Sequence, residues 1–312
     1  TYTDTIPANI TGLSVVGTTT TGVSTLCPAP TFTGQTLSGT FTAAQGGTCT
    51  ITVQGTASTT GMITNTATIT AVGVTDTVAG NNSSSVGLNI TPIIHNCSTG
   101  STATGSGFAT SGTGLYRDRL FWLDWSCAGA TSFKPGDTVN KSWLTPTGVM
   151  VTATLNSIAG GAISPYNTGD WARDDMDDVY SGVNPIGLRN VVSSQNPTFN
   201  IAWSASINGI PIPLDLVMAD AEDLARSSGE FTQITTNGDS WQLLESQGVI
   251  AAQFTTAAKT LTVSNIVSEA SGFALAVSKN TTSTQVSVKG GGVSAIAFAV
   301  AISNDFGDAP AS

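Results

Sequence analysis

The chain has 312 residues, of which 40% are hydrophobic and 10% charged; ten Lys and Arg face twenty Asp and Glu, for a net charge of −10. That acid excess repels phosphate backbones and argues against nucleic-acid binding, and no apolar run reaches the length of a membrane-spanning helix. The single His argues against His-rich zinc sites and against a Ser-His-Asp triad.

Apolar content is too high and charge too low for disorder. Thr, Val and Ile favour pleated strands, while Gly, Asn and Asp supply turns. The expected fold class is all-β: an Ig-like sandwich followed by a larger jelly-roll or lectin-like β-sandwich. The first domain spans 1–92. It has no Lys or Arg and only two acids, Asp4 and Asp76. Its expected strands are Leu13–Val16, Gln35–Phe41, Thr48–Gly55, Met62–Val74 and Ser84–Ile90, and apolar and polar residues alternate from Cys49 to Val53 and from Thr66 to Val72. The chain opens without a basic-plus-apolar signal segment, so its start reads as a mature or cut boundary.

The four cysteines, Cys27, Cys49, Cys97 and Cys127, lack C-x-x-C spacing. They allow three pairings. Keeping each bridge inside one domain favours Cys27–Cys49 and Cys97–Cys127, and disulfides imply an oxidising compartment. The run Asp4-Thr5-Ile6-Pro7, Cys27, Cys49-Thr50-Ile51, Asn65-Thr66-Ala67-Thr68-Ile69, Asp76 and Asn81-Asn82 resembles the DUF11 repeat of bacterial surface proteins. That resemblance implies an Ig-like stalk module. Its members carry one or two strands before the D-T-x-P turn, so this module is expected to be either cut or open at an edge. An open edge is a template for strand donation by a neighbouring chain.

Residues 98–113 read as a Ser/Thr/Gly linker or long first loop. The second domain, 93–303, holds all six Trp and all ten cations. Its expected strands are Leu115–Ser126, Val149–Ser157, Thr198–Ile207, Leu214–Ala219, Phe231–Thr235 and Ser240–Leu244, then Thr260–Asn265, Gly272–Ser278, Thr284–Val288 and Ser294–Ile302. Short helical pieces are expected at Asp174–Val179 and Ala221–Arg226. The phrases Tyr116-Arg117-Asp118-Arg119-Leu120-Phe121-Trp122-Leu123-Asp124-Trp125, Lys134-Pro135-Gly136-Asp137, Ala219-Asp220-Ala221-Glu222 and Asn237-Gly238-Asp239-Ser240-Trp241 carry a second resemblance. Together they resemble the second non-repetitive domain of the streptococcal adhesin CshA, which implies a lectin-like sandwich in an adhesive tip. Residues 304–312, with Asp305-Phe306-Gly307-Asp308-Ala309-Pro310, resemble the opening of a following surface-protein module and read as a linker to it.

Two acidic groups are candidate sites. Asp220, Glu222 and Glu230 offer hard oxygen ligands for calcium, the one metal expected, or else an acidic loop paired with Arg226. Asp174, Asp175, Asp177 and Asp178, flanked by Trp171 and Tyr180, form a candidate ligand-binding loop, because aromatics supply much of the energy at interfaces. Trp241, after a turn, and Trp171 are expected at the surface. Trp122 and Trp125 are expected on opposite sides of a strand, with at least one in the core; Trp203 reads as core, Trp143 as near a loop, and His95 as a linker residue.

These features read as a fragment of a secreted bacterial surface adhesin: a stalk module plus a noncovalent head recognising a surface glycan or glycoprotein. The alternative is a subunit of an extracellular filament, with neighbouring copies as partners. Enzyme motifs are missing; two carboxylates on a sandwich leave glycoside hydrolysis as a third, weaker reading.

Overall fold

The alternating β-branched residues form strands along nearly the whole chain in a computed structural model. The structure describes residues 1–302 apart from 23–24, 44, 58–60, 74, 92, 99–105, 168–175, 184–185, 221–228, 249, 256–258, 266–271 and 291. Two units are present, Thr1–Pro92 and Ile93–Ser312.

In the first unit, strands β1 (Tyr2–Thr5), β2 (Ile10–Thr21), β3 (Thr31–Thr33) and β4 (Thr36–Gly39) are followed by β5 (Thr48–Ala57), β6 (Gly61–Ile69) and β7 (Ser83–Ile90). Five of them form a sheet in the order β3-β4-β1-β6-β7, and β2 pairs with β5. The expected Cys27–Cys49 disulfide is present. Asp4 and Asn65 meet across β1 and β6: the Asn65 amide donates to both carboxylate oxygens, at 2.9 and 3.1 Å. The core is thin. Leu37 and Ile63 are buried, yet Leu88, directly opposite Ile63, is 55% exposed, and Val86, two residues away on the same side of β7, is 63% exposed.

The second unit begins with β8 (Ile94–Ser98), β9 (Gly107–Phe108), β10 (Leu120–Trp122), β11 (Thr138–Leu144), β12 (Val149–Ala159) and β13 (Ile163–Asn167). A single helical turn α1 (Met176–Val179) precedes β14 (Ile186–Asn190), β15 (Thr198–Ile207), β16 (Ile210–Ile212), β17 (Leu216–Asp220) and β18 (Phe231–Thr236). Strands β19 (Gln242–Gly248), β20 (Ile250–Thr255), β21 (Thr260–Asn265), β22 (Gly272–Ser278), β23 (Ser283–Lys289) and β24 (Ala295–Ala301) complete it. Among the described residues they form an eight-stranded sheet, β13-β14-β24-β17-β22-β19 with β10 and β9 attached, and a nine-stranded sheet, β20-β21-β18-β23-β15-β12-β11-β8 with β16 on β15. Asn208 and Gly209, both at positive φ, make the tight β15–β16 hairpin, a turn suited to that pair.

The two sheets bury one core between them. Alternate residues of the nine-stranded sheet point into it, among them Val151, Leu155, Ile201, Trp203 and Val286. The eight-stranded sheet is buried on both faces. Leu216, Met218, Phe298 and Val300 face the inter-sheet core, while Val217, Ala219, Leu275 and Ala297 belong to a second cluster with Met176, Val179 and Tyr180. Strands covered on both sides become continuous apolar runs, hence Ala295-Ile296-Ala297-Phe298-Ala299-Val300.

Trp122 and Trp125 take opposite sides as expected, and both are fully buried: Trp122 packs edge-on to Tyr180 at 5.5 Å, and Trp125 to Trp143 and Trp203 at 5.4 and 5.9 Å. Two other expectations are corrected. Trp143 lies within β11 and is buried, and its Nε1 donates to the Asp124 carbonyl. Of the expected strand Leu115–Ser126, only Leu120–Trp122 pairs, because 115–119 turn and Arg119 N bonds Tyr116 O at 3.0 Å. The helical piece at 174–179 appears as α1, and the one at 221–226 lies outside the described residues.

Candidate functional site

A cleft of about 600 Å³ opens at one end of the second unit's sandwich. Val149, Ala205 and Ile207, from the ends of β12 and β15, form one wall; Leu120, Val277 and Val300, from β10, β22 and β24, form the other. Tyr116, Arg119, Asp215 and Lys279 give the cleft its polar rim. Backbone bonds fix that rim: Ile302 N donates to Arg119 O and Ala301 N to Asp215 O, both at 2.9 Å. Arg119 and Lys279 are exposed and Asp215 is half-buried. Among the described residues the one ion pair is His95 Nε2 with Asp137 Oδ2 at 3.1 Å, so the rim charges do not neutralise each other. The lip is Ile210-Pro211-Ile212-Pro213, with Ile210 69% exposed. Among the described residues strand β16 pairs only with β15, and prolines lacking N–H make it a poor template for a further strand. An apolar cleft with charges of both signs at its mouth suits an apolar group flanked by charge, such as a protein side chain beside an ionic neighbour.

The residues singled out in the sequence lie elsewhere. Trp171, Asp174, Asp175 and Glu222 lie outside the described residues. Asp177 and Asp178 belong to α1, and Asp178 is exposed. Two expectations of surface aromatics are corrected. Tyr180 is fully buried as a strut of the outer layer, its hydroxyl donating to Glu245 at 2.6 Å. Burial and this carboxylate push its pKa far up. Trp241, just before β19, is 4% exposed, because its side chain enters the inter-sheet core. Asp220 and Glu230 are buried, one ending β17 and the other preceding β18 in the opposite sheet. Gly292 N donates to Glu230. Among the described residues no three His, Cys, Asp or Glu side chains are grouped to hold a metal. His95 is not a slack linker residue; Asp137 holds it, and Lys134 N also donates to that carboxylate, at 2.8 Å. The Cys97–Cys127 disulfide is present as expected.

Sequence reasoning missed the cleft. Tyr116 and Arg119 belong to the Tyr116–Trp125 segment, and Ile210-Pro211-Ile212-Pro213 lies between two expected strands, the signals that could have pointed to it. Seven strands converge on the site, however, and no local period records that.

A β-sandwich that presents an apolar cleft with a charged rim has a candidate recognition site. The chain matches the family model described as surface adhesin CshA non-repetitive domain 2 over residues 118–301, more than half its length, and it belongs to that family. Comparison with curated proteins and with solved structures finds no match. Family membership makes this a surface-adhesin chain, supports a binding rather than a catalytic role, and supports a cell-surface location. No helix among the described residues is long and apolar enough to cross a membrane.

Proposed function

We propose that the second unit is the noncovalent binding head of a secreted bacterial surface adhesin, that it recognises a surface glycoprotein, and that the polypeptide part seats in the sandwich-end cleft. The cleft itself carries this reading: it pairs apolar walls with unneutralised Arg119, Asp215 and Lys279. Among the described residues it presents one carboxylate where glycoside hydrolysis uses two, which favours binding over turnover. The first unit, with its DUF11-like phrases, serves as stalk. Asp220, Glu222 and Glu230 stay in the proposal as calcium ligands; a melting temperature that rises with added calcium and falls with EDTA supports them.

The test is capture of glycoproteins on the immobilised chain, before and after enzymatic deglycosylation. The double variant Arg119→Glu/Lys279→Glu changes two exposed side chains and leaves the walls intact. It is expected to weaken capture about tenfold or more, as loss of well-placed interfacial charge does. Equal capture by the variant removes the cleft from the account.

A second reading, the filament subunit, is favoured by β7. This eight-residue edge strand has no charge and no proline, pairs among the described residues only with β6, and shows Val86 and Leu88 to solvent. Such an edge is a template for another chain. Analytical ultracentrifugation tests it: concentration-dependent assembly abolished by Leu88→Lys supports the filament, and a monomer at all concentrations rejects it.

A further inference from the structure

We infer that the outward face of the nine-stranded sheet carries a subsite for a neutral sugar, built on Asn96, Asn140 and Thr154 and separate from the cleft. The inference rests on the adhesin reading and adds the glycan part of the glycoprotein to it.

Side chains alternate along a strand. Cys97 points inward and is buried in the core, so Asn96, its neighbour on β8, points outward. The parallel β8–β11 register sets Asn96 beside Asn140, and the antiparallel β11–β12 register sets Asn140 beside Thr154 and Ser142 beside Thr152. These five outward side chains line a shallow depression of about 370 Å³, with the buried residues Lys141 and Ala153 completing its floor. That volume is at the small end of ordinary ligand sites, roughly 300–1,000 Å³. The Cys97–Cys127 disulfide ties β8, and with it Asn96, to the sandwich.

The hydrogen bonds run in one direction. Thr154 Oγ1 donates to Asn140 Oδ1 at 3.0 Å, and Asn140 Nδ2 donates to Asn96 Oδ1 at 3.0 Å. This chain fixes the orientation of both amides. It aims the Asn96 NH₂ and the second Asn140 N–H outward as donors, and leaves lone pairs on Thr154 Oγ1 and both Oδ1 atoms as acceptors. Paired donors and acceptors at fixed spacing match vicinal hydroxyls, each of which both donates and accepts. The outward positions of β8, β11, β12 and β15 carry no charged side chain, in a chain of net charge −10. A neutral ring is therefore the complementary occupant, and an anionic one finds no counter-charge. Ile94 and Leu144, on the same face and 59% and 47% exposed, offer apolar contact for the C–H face of a ring.

The test uses the full ¹⁵N-labelled chain with neutral probes, lactose, maltose and N,N′-diacetylchitobiose, at millimolar concentration, the affinity range of single-sugar contacts. The side-chain NH₂ signals of Asn96 and Asn140 and the backbone signals of Ser142 and Thr152 are expected to shift in a saturable way. Asn140→Ala, or Asn96→Ala at the exposed sheet edge, is expected to lower the affinity about tenfold, while Arg119→Glu/Lys279→Glu leaves it unchanged. Absence of shifts, shifts confined to cleft residues, or shifts that persist in both Asn variants overturns the inference. Sugar shifts at the amides alongside failed glycoprotein capture sink the cleft reading and leave this one standing; deglycosylation-insensitive capture without sugar shifts does the reverse.

Discussion

Lys141 is 3% exposed inside the second unit, its ammonium donating to the Ser126 carbonyl and lying 5.6 Å from the Trp143 ring centre. Burial lowers its pKa from 10.5 to about 8, and Asp124 opposes that only in part. Between those two values the unfolded chain holds a proton that the folded chain has lost, so stability rises with pH across the window. The gain is at most about 3 kcal/mol. Tyr180 acts in the opposite sense and higher up: with its folded pKa raised, the stability it contributes is lost as pH climbs past the ordinary tyrosine value. Lys141→Met is expected to flatten the rise. Denaturant midpoints at neutral pH and near the top of the window check this; an unchanged slope in the variant contradicts it.

At the level of elements, the second unit depends on the layer over the outer face of its eight-stranded sheet. Gly112 sits at φ +99°, and a Cβ there would come 2.3 Å from the Val179 carbonyl oxygen, so the 107–114 segment lies directly on α1. Gly112→Ala is expected to cost more than about 1 kcal/mol and to loosen the Trp122–Tyr180 contact, read as a loss of near-ultraviolet circular dichroism with the far-ultraviolet signal retained. This layer also marks the limit of what the sequence made legible. Strands with one wet face alternate, and Thr198–Ile207 and Thr260–Asn265 fall where the pattern placed them, while Gly272–Ser278, covered on both faces, was legible as a continuous apolar run. Strand β11 was hidden by the Lys134–Asp137 turn before it, and β8 by the linker-like composition after it. The core reading of Trp122, Trp125 and Trp203 holds; Trp241 was misplaced because its position after a turn suggested a rim, whereas the chain enters β19 with that side chain in the inter-sheet core. Both disulfides were legible because each closes within one unit.

Across the whole molecule, charge and apolar surface are divided between the two units. The first has no cation, two acids and a thin core, as suits a spacer whose Thr-rich strands stay solvated. The second holds every cation and every Trp, a deep core, a charged-rim cleft and a neutral amide face. That division is consistent with the proposed stalk and head, and under that proposal the cleft and the amide face correspond to the two parts of a glycoprotein. The most direct measurement is hydrogen–deuterium exchange of the full chain with and without a captured glycoprotein. The account predicts protection at 116–120, 210–216 and 277–279 around the cleft, with the edge strand Ser83–Ile90 unchanged. Protection confined to Ser83–Ile90, or none around the cleft while the glycoprotein stays bound, contradicts it.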